Sequence, residues 1–186
     1  MANEYKPFEP KRTIRCGYQL LDLTQPKVMG ILNVTPDSFY DGGKHFDQSN
    51  ALQQAKQLLE EGADFIDIGG YSSRPGAEHI SLAEELNRTI PIIEAVAKRY
   101  PNAILSVDTF RSKVAQKALD AGALMVNDIY AGTGDDQMVE TVAKNQVPYI
   151  LMHIQGTPQT MQKAPNYQNV TKDIIQFLSE RVDQMK

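Results

Sequence analysis

Short apolar runs alternate along this chain with longer stretches of helical period. The runs are 28–32, 65–68, 104–107, 124–126 and 149–152. Continuous apolar runs of this length, bounded by turn residues, predict strands buried on both faces. The first helical stretch follows Asn50, with Ala51, Leu52, Ala55, Leu58 and Leu59 recurring at helical spacing and Gly62 ending it. Ser81 and Glu84 have the spacing of a capping box ahead of Leu82, Leu86, Ile90, Ile93 and Val96. Pro91 lies inside that helix and predicts a kink, and Pro101 marks its end. Val114, Ala115, Ala118 and Leu119 form a third stripe closed by Gly122, and Met138, Val139, Val142 and Ala143 a fourth. Val170, Ile174, Phe177, Leu178, Arg181 and Val182 form a fifth, extending to the last residue. Upstream, 13–23 reads as two short strands around Gly17, a hairpin, and 1–12 as a loose arm.

A hairpin followed by five strand–helix units predicts an α/β fold with parallel strands and right-handed crossovers. Two architectures stay open at this point. A complete (β/α)8 barrel takes about 250 residues, so length favours a doubly wound sheet. The loops favour the barrel: 33–43 and 71–77 are long and polar, and neither carries the tight glycine fingerprint of a nucleotide-binding sheet.

Every run ends on polar residues: Asn33; Asp67 with Gly69 and Gly70 behind it; Asp108; Asn127 and Asp128; His153. Ligands gather at the carboxyl ends of parallel strands, so the pattern predicts one shared site. Asp108 and Asn127 suit the edge of a pterin or purine-like heterocycle. A carboxylate accepts two parallel donors, and a carboxamide both donates and accepts. Asp108 is equally placed to cap a helix beginning near Thr109. Ser72-Ser73-Arg74-Pro75-Gly76 surrounds a guanidinium with hydroxyls and backbone donors, the makings of an anion clamp. Asn33 offers one oxygen to a hard cation such as Mg2+, or to a structural hydrogen bond. The loop 34–43, with Phe39 and Tyr40, has the composition of a cover over a ligand. His153 reads as a hydrogen-bonded packing residue, while His45 and His79 show no partner pattern.

Composition narrows the functions. The 186 residues are 41% hydrophobic and 23% charged, with a net charge of −4, so charge gives no case for nucleic acid or anionic membrane. Cys16 is the single cysteine, which excludes an intramolecular disulfide or a multi-cysteine metal site. No apolar stretch approaches the roughly 18 residues of a membrane span, and the N-terminus lacks a signal-peptide shape. A soluble cytoplasmic protein is expected.

Four segments, in this order, resemble the signatures of the dihydropteroate synthase family. They are Met29–Phe39 with Asp41-Gly42-Gly43; Asp67–Ala77; Ser106-Val107-Asp108-Thr109; and Val126-Asn127-Asp128-Ile129. The resemblance extends from Lys27 to Met161. It implies a (β/α)8 barrel of which about five of eight units are present, preceded by the hairpin. Residues 1–186 would then form one pterin-binding domain, truncated at its C-terminus. It implies a transferase of folate biosynthesis that joins 4-aminobenzoate to 6-hydroxymethyl-7,8-dihydropterin diphosphate, releases pyrophosphate and is a target of sulfonamides. By resemblance Arg74, Asp108 and Asn127 are the catalytic set. Asp108 and Asn127 hold the pterin, with Ile129 and Met152 as apolar lining. Ser73 and Arg74 bind the diphosphate, Asn33 contributes to Mg2+, and Thr35, Pro36 and Phe39 serve the aminobenzoate pocket. The family forms homodimers and its partners are small molecules. Tyr71 and Ser73 depart from the glutamate and threonine of many members. Three further units of the family carry an aspartate, a lysine and an arginine–histidine pair at the site, so the segment alone is expected to have little activity. Two other readings of the same residues are a methyltetrahydrofolate-dependent methyltransferase on the same barrel and a non-catalytic pterin-binding protein.

Overall fold

The structure is a computed structural model that describes residues 11–34, 48–72 and 79–186. The chain begins with an antiparallel hairpin of β1 (Thr13–Cys16) and β2 (Gln19–Asp22). Gly17 turns it at φ +58°, a backbone that L side chains rarely adopt, and Leu124 lies directly beneath that turn. Five strands then alternate with five helices: β3 (Met29–Asn33), α1 (Gln48–Glu60), β4 (Phe65–Gly69), α2 (Leu82–Arg99), β5 (Ile104–Asp108), α3 (Ser112–Asp120), β6 (Met125–Asp128), α4 (Met138–Asn145), β7 (Tyr149–Leu151) and α5 (Val170–Gln184).

Strands β3 to β7 pair in parallel, and their order across the sheet is their order along the chain. A doubly wound sheet must reverse its order at a switch point. This sheet never reverses, so right-handed crossovers carry all its helices to one face, which is the winding of a (β/α) barrel. Of the two architectures left open by length and loops, strand order selects the barrel.

Two apolar layers follow from the alternation of side chains. On the helix side, Leu32, Ile66, Ile68, Leu105, Val107 and Val126 pack against Ala51, Ala55, Ile92, Ile93, Val96, Val114, Ala118, Met138 and Val142. On the opposite, inner face, Phe65, Ile104 and Met125 pack with Cys16, joined by Ile14, Leu21, Met29 and Ile150. The hairpin therefore covers the N-terminal end of the inner face. At the β3 edge that face is open, and Ile31 is 61% exposed.

Helix signals hold with instructive differences. Helix α1 already includes Gln48 and Ser49, so Asn50 lies inside it. Only half of the capping box forms: Ser81 Oγ accepts from the Glu84 amide at 3.1 Å, while the Glu84 carboxylate takes Arg88 Nε at 2.7 Å. Helix α2 continues past Pro91 as one element. Asp108 is not a helix cap. Helix α3 begins at Ser112, and the carboxylate that accepts its first amide is Asp135, from the β6–α4 connection, at 2.8 Å. Helix α5 starts under Asn169, whose side chain accepts from the Lys172 amide at 3.0 Å, and it buries no residue. No described helix is long and apolar enough to cross a membrane.

Candidate functional site

Register places the polar strand ends in rows. Asn33, Gly69, Asp108, Asn127 and Ile150 pair in sequence across the sheet, and Ile31, Asp67, Ser106 and Met125 form the next row towards the hairpin. Successive side chains alternate faces, and both rows share the inner face with Met29, Phe65 and Ile104. Asn33, Asp108 and Asn127, read from sequence as separate strand ends, thus lie on one line. Gly69 leaves room for Asp108: a Cβ there would stand 3.2 Å from Asp108 Cβ and 3.3 Å from its Oδ2.

Asp67 completes the group. Sequence placed it in an apolar run but gave it no role. In the structure it is buried and accepts from Asn127 Nδ2 at 2.9 Å. Among the described residues, Asp67 Oδ1, Asn127 Oδ1 and Ser106 Oγ are buried with no hydrogen bond of ordinary geometry, although Ser106 lies close enough to Asp67 to act on its carboxyl. Buried polar atoms are nearly always paired, so these atoms, Asn127 Oδ1 above all, have capacity to spare for a polar ligand. Burial raises the Asp67 carboxyl above the ordinary range, with Ser106 and Asn127 opposing the shift. Asp108 is pushed up to about 7, first by burial and then by the negative charges of Asp67, Glu85 and Asp128. It accepts no hydrogen bond from the described residues. The inner face therefore holds acceptors in excess and suits a ligand edge made of N–H donors.

Asp128, next to Asn127, faces the other way. It accepts from Tyr149 Oη at 2.6 Å, from the Gly132 amide at 2.7 Å and from the Tyr130 amide at 2.8 Å, and so shapes the β6–α4 connection. Ile129 is buried just beyond Asn127, and Met152, 39% exposed, stands just past β7. His153 lies edge-on to Phe177 at 5.1 Å between ring centres and tilted to Tyr167 at 5.7 Å. It packs through its ring, and the hydrogen bond expected from sequence is not made to the described residues.

A second network joins the start of α2 to the β5–α3 connection. Glu85, fully buried at the start of α2, accepts from Thr109 Oγ1 at 2.6 Å and pairs with Arg111 Nη1 at 2.5 Å. Burial raises the Glu85 carboxyl despite Thr109 and Arg111, which oppose the shift. The guanidinium also donates to Ile80 O at 2.8 Å, contacts His79 Nε2 at 3.3 Å and lies over the Phe110 ring at 5.1 Å. An arginine can only donate, so His79 Nε2 accepts and Nδ1 carries the proton. That proton goes to Tyr71 Oη, 3.0 Å away, which also accepts from Gln159 Nε2 at 3.0 Å. Tyr71, where many relatives were expected to have glutamate, and His79, to which sequence gave nothing, thus tie the two flanks of segment 73–78 to the β5–α3 connection and the β7–α5 connection.

Thr35, Pro36, Phe39, Ser73 and Arg74 lie outside the described residues. Among the described residues no group of three or more His, Cys, Asp or Glu side chains is placed to hold a metal ion. Asn33 brings one neutral oxygen, too little to hold Mg2+ by itself.

These features define a class: a barrel-type α/β protein whose parallel strand ends gather polar side chains on one inner face. Residues 29–186 match the family described as pterin binding enzyme, and the chain belongs to that family. It is 51% identical over 156 residues to a dihydropteroate synthase of Synechocystis sp., an alignment covering 84% of this chain and 54% of the relative. A solved Xanthomonas albilineans dihydropteroate synthase with 4-aminobenzoic acid superposes with a TM-score of 0.85 at 42% identity, covering 95% of this chain and 62% of the other. The same enzyme in complex with 7,8-dihydropteroate gives 0.80 at 40% identity, covering 93% and 60%. The chain thus spans about half the length of the curated relatives it matches.

Proposed function

We propose that the protein catalyses dihydropteroate synthesis: 4-aminobenzoate is joined to 6-hydroxymethyl-7,8-dihydropterin diphosphate, with release of pyrophosphate. The observation that carries this reading is the inner-face group of Asp108, Asn127 and Asp67, where buried acceptors await a ring rich in N–H donors. The relatives named above act in the same direction. A protein 51% identical over most of the chain is a dihydropteroate synthase, and one solved neighbour binds 7,8-dihydropteroate.

The chemistry follows from these parts. Ring N–H groups placed against Asp108 favour its carboxylate over the neutral acid, and the resulting negative charge supports the cation that develops on the methylene carbon. The carbon–oxygen bond to the diphosphate breaks and its electron pair leaves with the phosphate oxygen. Arg74, from the segment read as an anion clamp, neutralises that charge. The arylamine nitrogen bonds to the methylene carbon and then releases a proton to solvent or to the departing pyrophosphate. Asn33 falls short of a metal site, so any Mg2+ must bring most of its ligands as diphosphate oxygens and water, and no step above passes through it. A homodimer and a cytoplasmic place of action belong to the same reading; the buried free thiol of Cys16 agrees with a reducing compartment.

The test is product formation by the intact protein from labelled 4-aminobenzoate and the pterin diphosphate, followed by chromatography of dihydropteroate. Pterin binding without turnover would instead favour a binding protein. Methyl transfer from methyltetrahydrofolate would favour the methyltransferase reading. Activity of residues 1–186 by themselves is expected to be small, because the relatives contribute further chain to the domain.

A further inference from the structure

We propose that Asp67 is a positioning residue that locks the Asn127 carboxamide with its oxygen towards the ligand, and so selects for an amino group on the heterocycle. The proposal rests on the pterin reading and goes a step further, to a residue in the row beneath the ligand-facing one.

The argument starts from what each group can do. An ionised carboxylate only accepts hydrogen bonds, and a carboxamide has one accepting and one donating end. Asn127 meets Asp67 Oδ2 at 2.9 Å, so the end it turns to Asp67 must be the NH2 group. The ionised carboxylate fixes this orientation, and protonation of Asp67, whose carboxyl burial raises, would release it. Asn127 Oδ1 is then directed away from Asp67, buried and without a partner among the described residues. Beside it in the same row stands Asp108, another acceptor. Two adjacent acceptors read two adjacent donors. The 2-amino-pyrimidinone end of a pterin supplies these, whereas a ring with a carbonyl in place of the amino group would set oxygen against oxygen.

The supporting residues keep Asp67 in place. It sits in the middle of β4, paired on one side with Ile31 and on the other with Ser106. It is 5% exposed, so water does not compete freely for Asn127. Burial also raises the cost of leaving either group unpaired, which makes the wrong carboxamide orientation expensive.

The experiment compares binding of 6-hydroxymethylpterin and 6-hydroxymethyllumazine, which carries a carbonyl in place of the 2-amino group, to the intact protein and to its Asp67→Asn variant. An asparagine can turn either end to Asn127, so the lock is lost while volume is kept. We expect the parent to prefer the pterin by about a hundredfold or more, and the variant to lose about tenfold of that preference. A structural role would weaken both ligands alike; an unchanged ratio in a folded variant overturns the proposal and leaves the pterin reading standing. A folded parent that binds neither compound overturns the pterin reading and this proposal with it. A second measurement needs no variant. Scalar coupling across the hydrogen bond, from Asn127 15Nδ2 to Asp67 13Cγ, is expected in the free protein, and its absence in a protein with ordered resonances overturns the proposal.

Discussion

Replacing Asp108 with asparagine should stabilise the ligand-free protein, and by an amount that depends on pH. Asp108 accepts no hydrogen bond from the described residues, so Asp108→Asn breaks none there and removes one charge beside Asp67, Glu85 and Asp128. The magnitude comes from the displacement of its pKa, from 3.8 to about 7. A carboxyl with a raised folded pKa binds its proton more tightly in the fold than in the unfolded chain. Its stabilising protonation is fully present below the unfolded value and is lost as pH rises through the folded one. Charging Asp108 therefore costs the fold about 4 kcal/mol at about pH 8, and about 2 kcal/mol at about pH 5, relative to a side chain that never ionises. Urea unfolding of parent and variant at these two pH values should show the variant more stable, with its advantage falling by about half on acidification. Equal gains at both pH values, or a variant less stable than the parent at the higher pH, would show that the cost of charging Asp108 is not what the geometry indicates. The same variant should lose affinity for pterins, because the neutral amide replaces an acceptor pair with one acceptor and one donor.

Glu85→Ala leaves the Arg111 guanidinium without its buried partner and should cost about 3–5 kcal/mol in denaturant unfolding, far beyond an exposed pair such as Lys56–Glu60; a loss below about 1 kcal/mol would mean that water replaces the carboxylate. Tyr149→Phe removes one of the three donors to Asp128 and should cost about 1–3 kcal/mol while leaving pterin affinity unchanged, because Asp128 faces away from the site; calorimetric titration would reveal a loss of affinity if that separation were wrong. Gly69→Ala presses a methyl group against Asp108, and fluorescence titration should show weaker pterin binding at a stability cost of about 1–3 kcal/mol; an affinity equal to the parent's would mean that Asp108 shifts freely.

Much of this fold could be read from local pattern, because the helices carry their own signals. Gly62 and Gly122 end α1 and α3 at positive φ, and Asn169 caps α5 with its side chain. The winding of the sheet could not be read that way. It depends on which strand lies beside which, and length argued for the wrong architecture. Caps supplied from a distance escape as well: Asp135 closes the N-terminus of α3 from a loop 23 residues downstream, and no spacing rule reaches that far.

The site divides along the same line. Asn33, Asp108 and Asn127 were visible because each ends an apolar run, and parallel pairing brings run ends together. Asp128 ends the same run as Asn127, yet alternation turns it to the helix side, where Tyr149 and two amides take it up. Within a run, face is set by register against neighbours, which the sequence of one strand does not contain. Asp67 is the converse case. A carboxylate inside the apolar run Phe65–Ile68 is a local inconsistency, and burying it is costly unless another chain segment supplies a donor. That donor is the amide of Asn127, 60 residues away, at 2.9 Å. An acid that breaks a strand's apolar pattern was therefore itself the signal of a polar inner face. The two residues explain one another, since Asn127 satisfies one oxygen of Asp67 and Asp67 decides which end of Asn127 remains to meet a ligand.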